Sequence, residues 1–395
     1  MNWIEITFIV CLCIVFYTYI GYGVILWLLV KVKRIFVKRP QSQPLSDDDF
    51  PEATLLIAAY NEELIISEKM ANTTMLDYPK GKLKVVWVTD GSNDGTNALL
   101  KEYENITVLF KPERKGKTAA LNRSIPFIDT PIVVFTDANT MLNRNAIKNI
   151  AACFIRNPRV GCVAGEKRIA TSLRSNASTG GEGMYWKYES ALKRLDSELC
   201  TAVGAAGELF AIKRELFEEM ENDTLLDDFM MSMRIAAKGY KIEYCADAYA
   251  EENGSADMQE EEKRKVRIAA GGLQSVWRLR GLLNIFKYGT MSFQYISHRV
   301  LRWTITPLLL FLMLPLNIAI TILNPTSIFF TTTLIFQALF YLCGLWGHAL
   351  SKKAIKNKYL YIPYYFLFMN VNVIKGFSYL YRRRGTGAWE KSKRA

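Results

Sequence analysis

Long apolar runs at both ends of the chain separate membrane segments from a soluble part. One run occupies residues 1–30, and two more lie within 303–350, separated only by the short loop 324–327. Each run is long enough to form a helix that crosses a bilayer. The pattern therefore predicts a transmembrane anchor at 1–30 and a transmembrane hairpin at 303–350.

Lysine and arginine residues beside these runs predict the orientation. Residues 31–40, directly after the first run, contain five of them, and basic residues favour the cytoplasmic side of membrane helices. A secretory signal peptide would instead carry its charges before a shorter apolar core. We therefore expect an integral protein of the bacterial inner (plasma) membrane, in which a linker at 31–50 leads into a cytoplasmic domain at 51–280.

The soluble part alternates between strand-like and helix-like patterns. Five short apolar runs are typical of buried strands: ATLLIAAY, KVVWVTD, ITVLF, PIVVFTD and VGCVAG. Amphipathic helical spacing fills the stretches between them, at 63–70, 95–103, 118–125 and 144–155. Strands that alternate with helices form a parallel sheet that is covered on both faces. The sequence therefore predicts the α/β class, with a doubly wound cytoplasmic domain beside transmembrane and interfacial helices.

The positive net charge does not indicate a nucleic-acid partner. The net charge is +12, but the basic residues are concentrated at 31–40, 351–358 and 382–395, beside the predicted membrane segments. There they meet anionic lipid head groups, so we expect membrane lipids and no nucleic acid as partners. The two histidines, His298 and His348, also lie near membrane segments. Their position argues against a histidine-bound zinc ion and against a Ser-His-Asp triad.

Polar clusters follow three of the predicted strands. The first strand ends in AAYNEE, the second in TDGSNDGT, and the fourth at Asp137, which opens the sequence Asp-Ala-Asn-Thr. The carboxyl ends of parallel strands meet at one edge of a sheet, where α/β domains bind ligands. A carboxylate at this edge, beside phosphates, would hold a divalent cation. The arrangement therefore predicts a site for a nucleotide-sugar.

The chain resembles the membrane-embedded family 2 glycosyltransferases, the group that contains cellulose, hyaluronan, chitin and poly-N-acetylglucosamine synthases. The resemblance extends from the anchor to the carboxyl terminus and rests on AAYNEE, TDGSNDGT, KGKTAALN at 115–122, FTDANT, GAAG at 204–207 and LLDDF at 225–229. It implies a GT-A-like fold and an inverting glycosyltransferase, which moves a sugar from a UDP-sugar to a hydroxyl of a growing polysaccharide at the inner membrane face. It leaves open whether the same chain also exports the polymer.

Carried over by position, the resemblance implies a donor site. The residues implied for donor binding are Tyr60, Glu62, Asp90, Lys117, Asp137 and Arg267. The first three would surround the uridine, while Lys117 and Arg267 would approach the diphosphate, for which a lysine supplies a flexible point charge. Asp137 and Asn139 would hold Mg²⁺ or Mn²⁺, which neutralises the leaving diphosphate.

The resemblance also implies a catalytic base at the start of a helix after residue 226. Asp228 is the expected base, because a carboxylate can take the proton of the acceptor hydroxyl as its oxygen attacks the anomeric carbon. Asp227 is expected to support Asp228 in this role. An alternative is that both carboxylates only stabilise the helix dipole. Simpler alternatives also remain for Lys117, as a surface lysine at a helix start, and for Asp137, as a turn residue at a strand end.

Two departures from the family pattern affect the predicted substrates. Asn139 stands at the second acidic position of the Asp-x-Asp motif and is a neutral ligand. The Gln-x-x-Arg-Trp motif of processive synthases is replaced by residues 264–268, which preserve Arg267 but lack the glutamine and the tryptophan that lines the acceptor terminus. The basic residues 263–265 then predict a solvated or lipid-facing turn. The alternative function is therefore a non-processive transferase that adds a single sugar to a lipid-linked acceptor.

Two segments beside the hairpin are typical of the membrane surface. Residues 281–302 mix aromatic and basic side chains, as in an interfacial helix on the cytoplasmic leaflet. Residues 359–381 are apolar, but a full span would place the arginines that follow them on the extracytoplasmic side. We therefore expect 351–395 to form an interfacial or re-entrant helix and a basic tail.

Overall fold

A long N-terminal helix opens the fold. The structure, a computed structural model, describes residues 2–37, 44–169, 177–254, 257–352 and 357–382. The helix comprises α1 (Trp3–Phe16), a π-helical turn (Tyr17–Gly21) and α2 (Tyr22–Phe36). Parts of two predicted segments, 38–43 of the linker and 383–395 of the basic tail, lie outside the described residues.

A mixed sheet forms the centre of the soluble domain. Its strands in chain order are β1 (Ala53–Ala59), β2 (Leu83–Asp90), β3 (Thr107–Lys111), β4 (Ile132–Asp137), β5 (Thr140–Leu142), β6 (Val160–Ile169), β7 (Leu209–Lys213) and β8 (Lys241–Glu252). Across the sheet, their order is β3-β2-β1-β4-β7-β6-β8-β5. The predicted α/β class is confirmed.

The sheet departs from an all-parallel arrangement after β4. Strands β3, β2, β1 and β4 are parallel, as the sequence predicts. The run VGCVAG, expected as a further parallel strand, forms part of β6, which is parallel to β8. The departure is β7, which lies between β4 and β6 and is antiparallel to both. Phe210 of β7 pairs with Phe135 of β4, and their rings stack with centroids 4.6 Å apart. This buried aromatic pair helps to hold β7 beside β4.

Helices cover both faces of the sheet. The helices of the soluble domain are α3 (Ile66–Thr74), α4 (Thr96–Leu100), α5 (Lys117–Ser124), α6 (Ala146–Arg156), α7 (Ala177–Leu199), α8 (Asp227–Ala237) and α9 (Met258–Arg278). Alternate side chains of β1 enter opposite cores: Leu56 packs in the cluster that contains α5 and α8, whereas Leu55 and Ile57 pack in the cluster that contains α3 and α6. This alternation follows from the pleat of the strand.

The remaining helices connect the domain to the predicted membrane. Within 281–302, where the sequence predicts one interfacial helix, the chain forms α10 (Ile285–Tyr288), α11 (Thr290–Tyr295), a π-helical turn (Ile296–Val300) and α12 (Leu301–Trp303). Then follow α13 (Ile305–Leu323), α14 (Ile328–Lys352) and α15 (Lys358–Arg382). Among the described residues, three helical segments are long and apolar enough to cross a membrane: Trp3–Phe36, Ile305–Leu323 and Ile328–Lys352.

The last helix, α15, is continuous and packs against the soluble domain. Lys375 forms an ion pair with Glu262 of α9. Tyr365 donates a hydrogen bond to Glu261 of the same helix, with an oxygen–oxygen distance of 3.2 Å. These contacts hold α15 beside α9. Its position at the membrane surface and the predicted domain boundaries stay predictions.

Candidate active site

A cavity of about 340 Å³ opens at the carboxyl ends of β1, β2 and β4. The strand register brings these ends together, since Ala58 pairs with Asp137 and Ala59 pairs with Thr89. All the residues that the sequence predicts for donor, metal and catalysis line this cavity: Tyr60, Glu62, Asp90, Lys117, Asp137, Asn139, Asp227, Asp228 and Arg267. The structure thus brings them to one place, and their individual roles stay predictions.

Asp90, at the end of β2, holds the loop that precedes α5. Its carboxylate accepts hydrogen bonds from the backbone N–H groups of Lys115 (3.1 Å) and Gly116 (2.7 Å). Gly116 has a φ of +93°, which glycine adopts without the penalty that a side chain would bring. The contact positions Lys117, the first residue of α5, at the cavity.

Arg114 and Tyr60 form a stacked pair in the lining of the cavity. The guanidinium carbon of Arg114 lies 3.8 Å from the centroid of the Tyr60 ring. The loop passes close to β2 because residue 91 is glycine: a Cβ there would lie 2.8 Å from the backbone nitrogen of Arg114. Planar groups of both kinds stack on nucleobases. Sequence reasoning missed Arg114, because nothing in its spacing distinguishes it from a surface arginine.

Lys117 lies among three carboxylates. Its Nζ is 2.6 Å from Oδ1 of Asp137 and 3.7 Å from Oδ2 of Asp227. Burial alone would lower the pKa of Lys117, but the attraction of Asp137, Asp227 and Asp228 outweighs burial and raises the pKa. The lysine is therefore charged, and it links the strand-end carboxylate Asp137 to the helix that carries Asp227 and Asp228.

Asp227 and Asp228 are the first two residues of α8. Oδ1 of Asp228 accepts a hydrogen bond from the backbone N–H of Phe229 (2.8 Å). Burial, followed by repulsion from Asp227, raises the pKa of Asp228 to about 7, although Lys117 acts in the opposite direction. A carboxylate with such a pKa can take and release a proton near neutral pH.

Gly207 leaves open space between the lysine and this carboxylate. A Cβ at position 207 would lie 3.4 Å from Oδ2 of Asp228 and 3.4 Å from Nζ of Lys117. Both groups therefore face the same small region, which a larger side chain would narrow. A substrate can reach the two groups together there.

The candidate metal ligands are few. In the part of the chain that the structure describes, no group of three or more His, Cys, Asp or Glu side chains is arranged to hold a metal ion. Asp137 and Asn139 offer one carboxylate and one amide oxygen at the cavity. This donor set fits Mg²⁺ or Mn²⁺ that completes its coordination with water and substrate phosphates, because Mg²⁺ is commonly bound by only one or two protein carboxylates.

A buried polar layer supports the turn that contains Asp137. Oγ1 of Thr140 donates to the carbonyl of Asp137 (3.0 Å), and Oγ1 of Thr136 donates to the carbonyl of Glu208 (2.9 Å). Lys69 of α3 also reaches this layer and donates to the carbonyl of Thr140. Burial lowers the pKa of Lys69 to about 7, against the attraction of Asp137. These contacts tie β4 to the loop before β7.

The basic residues near Arg267 do not form the exposed turn that the sequence predicts. Arg264 and Lys265 lie on α9 and are only 5% and 4% exposed. Arg264 lies 3.5 Å from Glu261, and Lys265 lies 3.3 Å from the same residue. The expectation of a solvated or lipid-facing turn is therefore wrong for these two residues, because acidic partners compensate their burial. Burial and the charge of Arg264 lower the pKa of Arg267.

Residues of α7, of α15 and of the segment before α13 also line the cavity, and sequence reasoning missed most of them. They are Trp186, Glu189 and Lys193 of α7, Arg299 and Trp303 before α13, and Met369 and Val373 of α15. Trp303 contributes an indole to the lining of the cavity. Residues 264–268, which stand in place of the Gln-x-x-Arg-Trp motif, lack the tryptophan of that motif. No local motif joins these residues, which are far apart in the chain, so only the tertiary structure identifies them as a group.

Comparisons with known proteins identify the family of the chain. Residues 51–271, more than half of the 395 residues, match the family described as "Glycosyltransferase like family 2". The β-monoglucosyldiacylglycerol synthase of Trichormus variabilis is 27% identical over 253 residues, which are 61% of this chain and 53% of that protein. The poly-β-1,6-N-acetyl-D-glucosamine synthase of Staphylococcus aureus is 28% identical over 207 residues, which are 50% of this chain and 48% of that protein. The chain thus spans about half the length of the curated relatives it matches.

A solved structure shares the whole architecture. The mannosyltransferase PcManGT of Pyrobaculum calidifontis, in complex with GDP-Man and Mn²⁺, superposes with a TM-score of 0.70. The two are 22% identical, and the match covers 96% of this chain and 99% of that one. At this identity the likeness establishes the fold, and the predicted GT-A-like fold is confirmed.

Proposed function

The chain belongs to the glycosyltransferase like family 2, and we propose that it transfers a sugar from a UDP-sugar, with inversion at the anomeric carbon, to a hydroxyl at the cytoplasmic face of the bacterial inner membrane. The observation that carries the proposal is the cluster of Lys117, Asp137, Asp227 and Asp228 in one cavity at the sheet edge. Such a cluster has groups for a diphosphate, a cation and a proton within a short distance of one another.

The donor occupies the strand-end half of the cavity. Tyr60, Glu62 and Arg114 surround the uridine, while Asp90 holds the loop that presents Lys117 to the diphosphate. Asp137 and Asn139 would hold Mg²⁺ or Mn²⁺, which would supply positive charge to stabilise the leaving diphosphate. Support comes from the cluster itself: three carboxylates and one lysine leave an excess of negative charge that a divalent cation balances.

The acceptor hydroxyl approaches beside Asp228. This carboxylate takes the proton while the hydroxyl oxygen bonds to the anomeric carbon, and the bond between that carbon and the diphosphate oxygen breaks. Lys117 and Arg267 stabilise the charge on the departing diphosphate. The pKa of Asp228 near 7 suits this step, because the carboxylate is ionised before the reaction and basic enough to accept a proton.

Two acceptors are compatible with the family. One is the growing end of a polysaccharide, which the product of the S. aureus relative suggests. The other is a single lipid or lipid-linked glycan, which the name of the T. variabilis relative suggests. The second is favoured by the cavity itself, because its lining includes Trp303 and residues of α15, beside the candidate membrane helices.

Nucleotide release and product size test the proposal. The purified full chain, in vesicles of bacterial lipid, would be incubated with UDP-linked and GDP-linked sugars and with Mg²⁺ or Mn²⁺. We expect release of UDP from one UDP-sugar and a product that mass spectrometry identifies as a polymer or as a lipid with one added sugar. Turnover of GDP-sugars alone would refute the UDP assignment, and turnover of no nucleotide-sugar would refute the function.

A further inference from the structure

The lining of the cavity includes residues beside and between the candidate membrane helices and the soluble domain. Trp303 lies two residues before α13, one of the candidate membrane spans, and Met369 belongs to α15, which packs on α9. Aromatic residues at the ends of membrane helices are typical of the interface between lipid and water. An acceptor held in the membrane can therefore enter the cavity from the bilayer.

Lys193 is a buried lysine that lines this cavity, and burial lowers its pKa, although Glu189, Glu166 and Glu208 act in the opposite direction. It is only 4% exposed, and its Nζ lies 5.8 Å from the centroid of the Trp186 indole. Within the described part of the chain, Lys193 takes part in no hydrogen bond and no ion pair. A buried ammonium group is normally compensated by an acidic partner or a carbonyl. Lys193 therefore presents to the cavity an amine that no described protein atom holds directly.

The carboxylates whose charges act on Lys193 already have other partners. These carboxylates and their partners are Glu189 with Arg299, His298 and Arg302; Glu166 with Ser190 and Tyr244; and Glu208 with Lys167. None of the three forms a hydrogen bond or an ion pair with Lys193, and Glu166, whose partners are neutral hydroxyls, acts on the lysine only through its charge. An anionic ligand in the cavity would give the ammonium group the direct partner that these carboxylates do not.

We propose that Lys193 binds an anionic group of the acceptor, and that the acceptor is a membrane lipid whose head group carries both an anion and the hydroxyl that receives the sugar. This inference rests on the proposed function and specifies its acceptor. The anion pairs with Lys193, and the hydroxyl lies at Asp228. A phosphodiester and a carboxylate on a sugar would each supply such an anion.

Matched acceptors separate the effect of the anion from the effect of the lipid. Glucuronosyl diacylglycerol and glucosyl diacylglycerol differ in a carboxylate, and phosphatidylglycerol presents a phosphodiester with hydroxyls. Each would be added at equal mole fraction to phosphatidylcholine vesicles that contain the full chain. We expect the anionic acceptors to have the lower KM, and the better of the two identifies the anion. Equal KM values for charged and neutral acceptors would overturn the proposal.

Variants of Lys193 provide the second comparison. Lys193→Met should raise the KM for the anionic acceptor by about tenfold or more, the usual effect of losing a charge-assisted hydrogen bond. The KM for the neutral acceptor should rise by a smaller factor than the KM for the anionic acceptor. Lys193→Arg should restore part of the affinity. Lys187→Met, which removes an exposed lysine from the same helix, is the matched control and should match wild type.

A binding measurement keeps this inference distinct from the proposed function. Phosphatidylglycerol or glucuronosyl diacylglycerol should raise the Tm of the detergent-solubilised protein and of Lys187→Met more than that of Lys193→Met. If no donor is turned over, the proposed function fails and this measurement alone decides the role of Lys193. Equal shifts of the Tm in wild type, Lys187→Met and Lys193→Met would refute the binding of the anion by Lys193. A loss of donor hydrolysis in Lys193→Met would assign Lys193 to the donor site and would also refute it.

Discussion

At the scale of single residues, Lys117 and the carboxylates around it form one coupled electrostatic unit. Asp137, from β4, and Asp227 and Asp228, from α8, act on the same ammonium group. Removing any one of them changes the protonation of the others.

Asp228→Asn should lower sugar transfer by roughly two to four orders of magnitude, the usual contribution of a general base. The amide keeps the size of the side chain but cannot take the proton. UDP binding, measured by calorimetry, should remain close to that of wild type. Asp227→Asn should retain more transfer than Asp228→Asn. The reverse order would show that Asp227 is the base.

The rate of transfer should fall as the pH is lowered through about 7, because Asp228 must be ionised to accept a proton. Repulsion from Asp227 is one cause of the raised pKa, so Asp227→Asn should lower the pKa of Asp228. The acidic limb of the profile of kcat/KM against pH should then move to lower pH. An unchanged limb in Asp227→Asn would contradict the assignment of the titrating group.

Asp137→Ala should abolish donor turnover, because it removes the carboxylate expected to bind the metal ion and the partner of Lys117 at 2.6 Å. EDTA should abolish turnover in wild type, and added Mg²⁺ or Mn²⁺ should restore it. Asp129→Ala, at an exposed acid just before the same strand, is the control. Full activity of Asp137→Ala together with full activity in EDTA would rule out the proposed metal site.

At the scale of elements, the loop 204–207 fixes the position of α8. Gly204 has a φ of +85°, and a Cβ there would lie 2.2 Å from the ring of Phe229, the residue after Asp228. The loop and the helix are therefore in such close contact that only glycine fits. The position of the expected base depends on this contact.

Gly204→Ala should destabilise the protein by about 1–2 kcal/mol for the left-handed backbone, with about 1–3 kcal/mol more for the overlap with Phe229. Gly239→Ala is a matched control, because Gly239 has a φ of +91° but no atom within 4 Å of the Cβ that alanine would add. Thermal unfolding would measure both. Equal losses of stability in the two variants would show that the contact with Phe229 contributes nothing.

At the scale of the whole molecule, the orientation of the chain in the membrane determines which substrates reach the site. Helix α15 begins after α14, a candidate span, and contacts α9 of the soluble domain through the ion pair of Lys375 with Glu262. This contact agrees with a helix that stays on the side of the catalytic cavity. A helix that crossed the bilayer would place residue 392 on the opposite side.

Cysteine labelling in sealed, oriented vesicles measures the orientation. Ser392→Cys, in the tail beyond the described residues, should react from the same side as Lys101→Cys in the soluble domain. Thr326→Cys, in the loop between α13 and α14, should react from the other side, because α13 is a candidate membrane span. Labelling of residues 392 and 326 from one side would show that 359–381 spans the bilayer.

Local pattern in the sequence was enough to predict the membrane helices, the first four parallel strands and the residues at their ends. The length of an apolar run indicates whether a helix can cross a bilayer. Apolar runs that alternate with amphipathic helices predict a sheet whose two faces are covered by helices. Asp90 and Asp137 end parallel strands, so their meeting at one edge follows from the fold class alone. The motif residues Lys117, Asp227 and Asp228 followed from the family resemblance.

Only the tertiary structure decided the neighbours of each element and the environment of each charge. Strand β7 lies between β4 and β6 because residues far apart in the chain pack together. The local pattern of apolar residues contains no information about such contacts. Arg264 and Lys265 are buried because Glu261 and the surrounding helices enclose them. Lys193 and Trp303 meet in one cavity for the same reason. Burial and the pKa of a group depend on the sum of such distant contacts, whereas the pattern of apolar positions depends only on each segment itself.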